Sequence, residues 1–283
     1  VALEAKDNGQ AILTQGGSEY KLMTLDASDF PAPSSPREEN SLRLKMGILR
    51  DAVDSVAFAV STDQHRQVLT GVLFQYNGKT LTLVATDTHR LAVRRIEQEG
   101  LGSEVSAIVP DKALRAIRSL PLGDDDEVTI VFGDGKLAVE APGARVVSQL
   151  LAGSYPNWER VVPAEHTRSW TVETDQLAEK IKRAMILARD SANRVRLRGD
   201  GDRIIISARS EEKGDAKEEV GMVADNGAIE IAFNGKYVQD VLGTVHDQGV
   251  KIEMTEPSRP AVVRPAEDTD NAYFCVIMPM ALA

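Results

Sequence analysis

Leu49-Arg50-Asp51-Ala52-Val53-Asp54-Ser55-Val56-Ala57-Phe58-Ala59-Val60, followed by Val72-Leu73-Phe74-Gln75-Tyr76-Asn77-Gly78-Lys79-Thr80-Leu81-Thr82-Leu83-Val84-Ala85, reads as a helix and then a hairpin. Leu49, Val53, Val56 and Val60 are spaced 4, 3 and 4 apart, which stacks them on one face of an α-helix. In the second stretch two strand-forming runs flank Asn77-Gly78, a dipeptide suited to the positive φ angles of a tight hairpin turn.

The same two signals recur outward from this point. Further hairpins are expected for residues 3–5 with 12–13 around Asp7-Asn8-Gly9, and 128–132 with 136–140 around Gly133-Asp134-Gly135. Two more are expected for 195–198 with 203–208 around Gly199-Asp200-Gly201, and 251–255 with 261–264 around Glu256-Pro257-Ser258. Helical spacing returns at 111–120 (Leu114, Ile117), behind Pro110, at 175–187 (Leu177, Ile181, Ala184, Met185) and at 235–245 (Val238, Val241, Leu242, Val245). A unit of helix followed by strands is therefore used four times, and the fold class is α+β.

Two breaks divide the repeats. Asp29-Phe30-Pro31-Ala32-Pro33-Ser34-Ser35-Pro36 has the composition of a semi-rigid linker, and a second break falls at Pro163-Ala164-Glu165-His166-Thr167. The expected pieces are 1–30, holding strands only, and 37–163 and 167–283, each holding two helix-plus-strand units. The opening residues 1–7 contain neither an initiator Met nor a basic segment followed by an apolar one, and they read as sequence internal to a longer protein.

Composition narrows the function classes. With 283 residues, 42% hydrophobic and 27% charged, the chain is of the globular class and long enough for about two ordinary domains. Its apolar runs are far shorter than a membrane span. The single cysteine, Cys275, excludes an intrachain disulfide and a Cys-based zinc cluster, and it is expected on a buried strand. A formal charge of −10 argues against a surface that grips nucleic acid throughout, so any contact with DNA has to be local.

Catalytic chemistry has one foothold, Thr86-Asp87-Thr88-His89-Arg90, where Asp87 could orient His89 as a base. The competing readings are a hydrogen-bonded turn and a rim that receives a partner. Nucleophile elbow, phosphate loop and His-Glu-x-x-His patterns are missing, and the four histidines show no metal-ligand spacing. The helices carry basic residues: Lys112, Arg115 and Arg118 share one face, Lys180 and Arg183 repeat the spacing with Lys182 nearby, and Arg50 and Lys236 are single positions. Singly these are ordinary surface charges. Four units presenting the same side to phosphates would form a surface for backbone contact without base readout.

Ala85-Thr86-Asp87-Thr88-His89-Arg90-Leu91-Ala92-Val93 closely resembles the bacterial DNA polymerase III beta subunit, the sliding clamp. So do Tyr155-Pro156-Asn157-Trp158-Glu159-Arg160-Val161-Val162-Pro163, Phe233-Asn234-Gly235-Lys236-Tyr237-Val238 and Val276-Ile277-Met278-Pro279-Met280. The resemblance implies a DNA clamp fold, with three domains per subunit, helices inside and sheets outside a ring closed by two subunits, and most of the first domain absent here. It implies a processivity factor without enzymatic activity or cofactor, in the cytoplasm of a bacterium near its nucleoid. Its partners would be double-stranded DNA, the DNA polymerase III catalytic subunit, the clamp loader and other proteins carrying a clamp-binding peptide.

Matched by motif, the peptide cleft would use Leu69, Thr86, Thr88, His89, Arg90, Leu91, Pro156, Arg160, Val161, Asn234, Tyr237, Val276, Ile277, Met278, Pro279 and Met280. The DNA-facing set comprises Arg50, Arg66, Lys112, Arg115, Arg118, Lys180, Arg183 and Lys236. Ring closure would join Tyr20 and Leu22 to Ile186 and Leu187 of a second subunit, with Glu218 and Glu219 nearby. Thr88 stands where the family often has Gly, and Ala281 where it usually has Arg. The alternatives are a peptide-binding module that never meets DNA and a hydrolase using Asp87 and His89.

Overall fold

The computed structural model describes residues 1–30, 36, 41–98 and 104–282. Most of the Pro/Ser-rich break, and the expected domain boundaries at 37 and 283, lie outside the described residues. The chain forms two compact units, Val1–Ser35 and Pro36–Ala283.

The first unit is an antiparallel sheet in the order β1 (Ala2–Lys6), β2 (Gln10–Gln15), β3 (Ser18–Met23). Leu3, Leu13 and Tyr20 lie in one cross-strand row, and Ala5, Ala11 and Leu22 in the next. Because side chains alternate across a strand, both rows share a face.

In the second unit one pattern, strand, helix, three strands, occurs four times. The first copy is β4 (Ser41–Lys45), α1 (Met46–Ala57), β5 (Gly71–Tyr76), β6 (Thr80–Thr86) and β7 (Arg90–Glu97). The second is β8 (Val105–Pro110), α2 (Asp111–Arg118), β9 (Glu127–Gly133), β10 (Lys136–Ala141) and β11 (Ala144–Gln149). The third is β12 (Arg168–Glu173), α3 (Thr174–Ala188), β13 (Arg194–Asp200), β14 (Arg203–Ser210) and β15 (Gly214–Gly221). After the short β16 (Val223–Asp225) comes the fourth: β17 (Glu230–Asn234), α4 (Gly235–Leu242), β18 (Gly249–Met254), β19 (Ala261–Pro265) and β20 (Tyr273–Ile277).

The five expected hairpins form at the expected turns. At Asp134-Gly135 both residues have positive φ, 51° and 70°, the conformation whose twist matches that of the flanking strands. Three helices, α1, α2 and α4, end sooner than the apolar spacing suggests, whereas α3 runs to Ala188, one residue past its expected end. In α1 the bonds Ala59 N to Val56 O and Val60 N to Ala57 O tighten the last turn, so Val60 lies beyond the helix. Pro121 follows closely on α2, where it favours an extended preceding residue.

Leading strands are exchanged between copies. β4 pairs with β9 and β8 with β5; β12 pairs with β18 and β17 with β13. Each exchange interlocks two copies, and the helices pack between the resulting sheets over a core that includes Leu49, Val53, Phe74, Ile117, Trp170, Leu177 and Val241. One further pairing, β7 with β20, fuses sheets from the two halves into a nine-stranded sheet in the order β16-β12-β18-β19-β20-β7-β6-β5-β8. Its other face carries a second apolar cluster, in which Leu73, Leu91, Val93, Phe274 and Val276 are covered by Trp158, with Leu151, Tyr155 and Val162 packed alongside. Residues 150–162 thus run as a strap over the seam, held by Leu151 N to Ile108 O at 2.9 Å and Trp158 Nε1 to Gln75 Oε1 at 3.1 Å.

Candidate functional site

The seam ends where the β6–β7 turn meets the residues after β20. Val276 stands opposite Leu91 and Ile277 opposite Arg90. Alternation along β20 then sends these neighbours to opposite faces: Val276 and Leu91 join the cluster under the strap, whereas Ile277 joins the core among the helices. The residues expected to line a cleft therefore fall into two groups on the two sides of one sheet.

The strap side is apolar. Leu91 and Val276, both 2% exposed, lie in the cluster under the strap, and Leu69, 3% exposed, is buried within Gln64–Thr70. Val161, at 50%, and Met278, at 40%, are exposed apolar side chains, and Pro156 and Arg160 are exposed as well. Met278 N donates to His89 O at 2.9 Å and Met280 N to Ala232 O at 2.7 Å, so Pro279 is held between two anchored neighbours.

The helix side is polar. Arg90 is 9% exposed, a cost for a charge unless its donors are satisfied. Its Nε donates to Asp87 Oδ2 at 3.1 Å, one terminal nitrogen to Asp240 Oδ2, and the other to Phe58 O at 2.6 Å. The guanidinium lies 4.5 Å from the Tyr237 ring centre and 5.2 Å from that of Phe58. Burial, and then the Asp87 carboxylate, raise the Tyr237 phenol above its ordinary range, with Arg90 acting in the opposite sense. Asn234 caps α4 by accepting from Lys236 N at 3.0 Å. Asp240 and Phe58 carried no signal in the sequence as partners of Arg90.

Between the two sides lies the turn. Asp87 Oδ1 accepts from the backbone N–H of His89 at 2.9 Å and of Arg90 at 3.0 Å, and Thr86 Oγ1 donates to Arg90 O at 2.7 Å. Asp87 is thus occupied in holding the turn and Arg90, and the hydrogen bond it makes to His89 goes to the backbone, not the ring. Thr88 has φ +79°, an unusual conformation for a β-branched residue, and its hydroxyl accepts from Arg66 at 3.0 Å. Arg66 also has non-helical angles, which mark a kink between two short 3-10 turns within Gln64–Thr70, the segment that contains Leu69. Among the described residues no group of three or more His, Cys, Asp or Glu is placed to hold a metal ion.

The basic residues of the helices divide as well. Arg50 donates to Asp124 Oδ1, Leu120 O and Leu122 O at 2.8–2.9 Å, tying down the loop after α2. Arg118 pairs with Asp54 at 2.6 Å, Arg115 with Asp111 at 2.8 Å, Lys180 with Glu218 at 2.9 Å, and Arg183 with Glu179. Lys112, Lys182 and Lys236 are exposed. Arg66 is placed at the turn, apart from the four helices. Tyr20 and Leu22, 59% and 48% exposed, lie on the edge strand β3, and Ile186 is 62% exposed near the end of α3, with Leu187 half-buried.

Comparison with known proteins agrees along the chain. Residues 43–157 match the family model of the DNA polymerase III beta subunit central domain, and 159–281 that of its C-terminal domain. A beta sliding clamp from Staphylococcus aureus is 30% identical over 282 residues, 99% of this chain and 74% of that protein. A sliding clamp structure from Pseudomonas aeruginosa superposes with a TM-score of 0.92 at 30% identity, covering 99% of this chain and 76% of the other. For a beta subunit from Streptococcus pyogenes the values are 0.91 and 27%, with 98% and 76% covered.

Proposed function

From the premise that this chain belongs to the family of DNA polymerase III beta subunits, the bacterial sliding clamps, we propose how its residues divide the work. A sliding clamp is a non-enzymatic accessory of a DNA polymerase, and the fold is that of the family. Topological tethering needs little affinity for DNA, which reconciles an acidic chain with work on a polyanion.

Residues 1–30 are the end of a first clamp domain, 37–163 a central one and 167–283 a C-terminal one. Lys112, Arg115, Arg118, Lys180, Arg183 and Lys236 face the duplex and touch only its backbone, with Arg66 nearer the rim. Arg50 acts within the fold. In the complete protein, two copies close a ring through Tyr20 and Leu22 of one and Ile186 and Leu187 of the other, in the bacterial cytoplasm at the nucleoid.

The observation that carries the partner-docking reading is the end of the seam, where the bond from Met278 N to His89 O ties the exposed Met278 to the fixed β6–β7 turn, next to the strand ends that bear the buried Leu91 and Val276. A peptide with hydrophobic anchors and a polar residue for orientation fits such a surface. The DNA polymerase III catalytic subunit, the clamp loader and other carriers of such a peptide would compete for it. Titration of the chain with a fluorescein-labelled synthetic peptide carrying Gln, Leu and Phe tests this. Met278→Asp is expected to weaken binding more than tenfold by placing an unpaired charge where an exposed apolar side chain stands. Unchanged affinity would remove the cleft from this place.

A further inference from the structure

Arg90 belongs to β7 and Asp240 to α4, 150 residues apart in sequence, and they meet across the seam. All three nitrogens of the buried guanidinium have acceptors, whereas Arg94 and Arg264 each leave a buried Nε without a hydrogen bond. Two carboxylates, a helix-end carbonyl and two aromatic faces surround this one cation. A planar fork can satisfy such a set in a single orientation, which a lysine could not do.

We propose that Asp240 is a positioning residue for the peptide cleft: by holding Arg90, it fixes the β6–β7 turn, Tyr237 on α4 and the end of α1 relative to one another. Arg90 then acts on the cleft through the turn and the helix that it holds. This rests on the docking reading above and deepens it. Two of the elements the clasp joins, the β6–β7 turn and α4, supply residues of the site. Asp87 holds the turn through backbone bonds and Arg90 through its second oxygen, Tyr237 stacks on the guanidinium, and His89, whose carbonyl anchors Met278, lies beside Tyr237 with ring centres 6.4 Å apart.

The test is a double-mutant cycle on the full chain, read as affinity for the same labelled peptide at a temperature where every variant is folded. Asp240→Asn, close in size but uncharged, is expected to weaken binding about tenfold through loss of a charge-assisted bond. Arg90→Ala should weaken it at least as much, and the pair together no more than Arg90→Ala alone. Asp240→Glu should recover most of the affinity, which a general loosening of the fold would not predict. If Arg90→Ala does not fold, Arg90→Lys takes its place in the cycle. Additive losses, or full affinity in Asp240→Asn, overturn the clasp while Met278→Asp still weakens binding more than tenfold. Insensitivity to Met278→Asp overturns the cleft, and this inference with it.

Discussion

β20 and β15 hold the same place in their repeats, each the last of three strands, yet one is sealed within a sheet and the other lies at an edge. β20 reads Tyr273-Phe274-Cys275-Val276-Ile277 and is buried at every position. β15 reads Gly214-Asp215-Ala216-Lys217-Glu218-Glu219-Val220-Gly221 and is largely exposed. Backbone pairing is equally available to both, so the difference lies in the side chains. A strand that is apolar on both faces gains from being covered, and one lined with charges resists it. β7 carries Arg90, Arg94 and Arg95 into the seam, but Arg94 lies 5.9 Å from the Tyr273 ring centre and Arg95 5.3 Å from that of Phe274. Charge is accepted where an aromatic face receives it.

The contrast can be broken most directly at Phe274, 3% exposed at the centre of the seam. Phe274→Ala should cost about 3–5 kcal/mol in urea unfolding, as large cavities do, and a loss below 1 kcal/mol would show the joint to be incidental. A smaller effect concerns Cys275, whose thiol is pushed up to about 12 by burial. A thiol raised in the folded state contributes stability that is intact below its unfolded value, near pH 9, and is lost as pH rises toward 12. Each pH unit in that window should remove about 1.4 kcal/mol, and Cys275→Ala should flatten that part of the profile. An identical slope in the variant would assign the alkaline loss to other groups. The smallest effect is expected at the open edges: a weak, concentration-dependent self-association through β3 and the α3–β15 side. Leu22→Asp should abolish it in sedimentation, and a strict monomer at high concentration would exclude it.

Much of this architecture was legible in local pattern. Asn77-Gly78 and Asp134-Gly135 between strand-forming runs located hairpins because turn chemistry acts over a few residues. The exchanged strands were partly legible, since Leu42 and Leu44, or Trp170 and Val172, alternate as strands do. Their partners were not, because pairing β4 with β9 instead of β5 depends on how two copies interlock, which no single window records. The site divides in the same way. Resemblance pointed to Leu91, Val276 and Met278, but the split of Val276 from Ile277 across the sheet needed the strand register. Asp240 looked like an ordinary polar position on an amphipathic helix until the fold set it against Arg90.

The exchange and the seam also set a timetable for synthesis. A chain emerging from its N-terminus holds β4 without its partner until β9 appears, and β7 keeps an open edge until β20 follows. Leu91 and Arg90 therefore wait for Val276, Met278 and their neighbours until the fourth copy has been made. On the docking reading proposed above, a nascent or prematurely ended chain would offer one half of the docking surface, so attachment of a partner would certify that the last strand has been made and set in place.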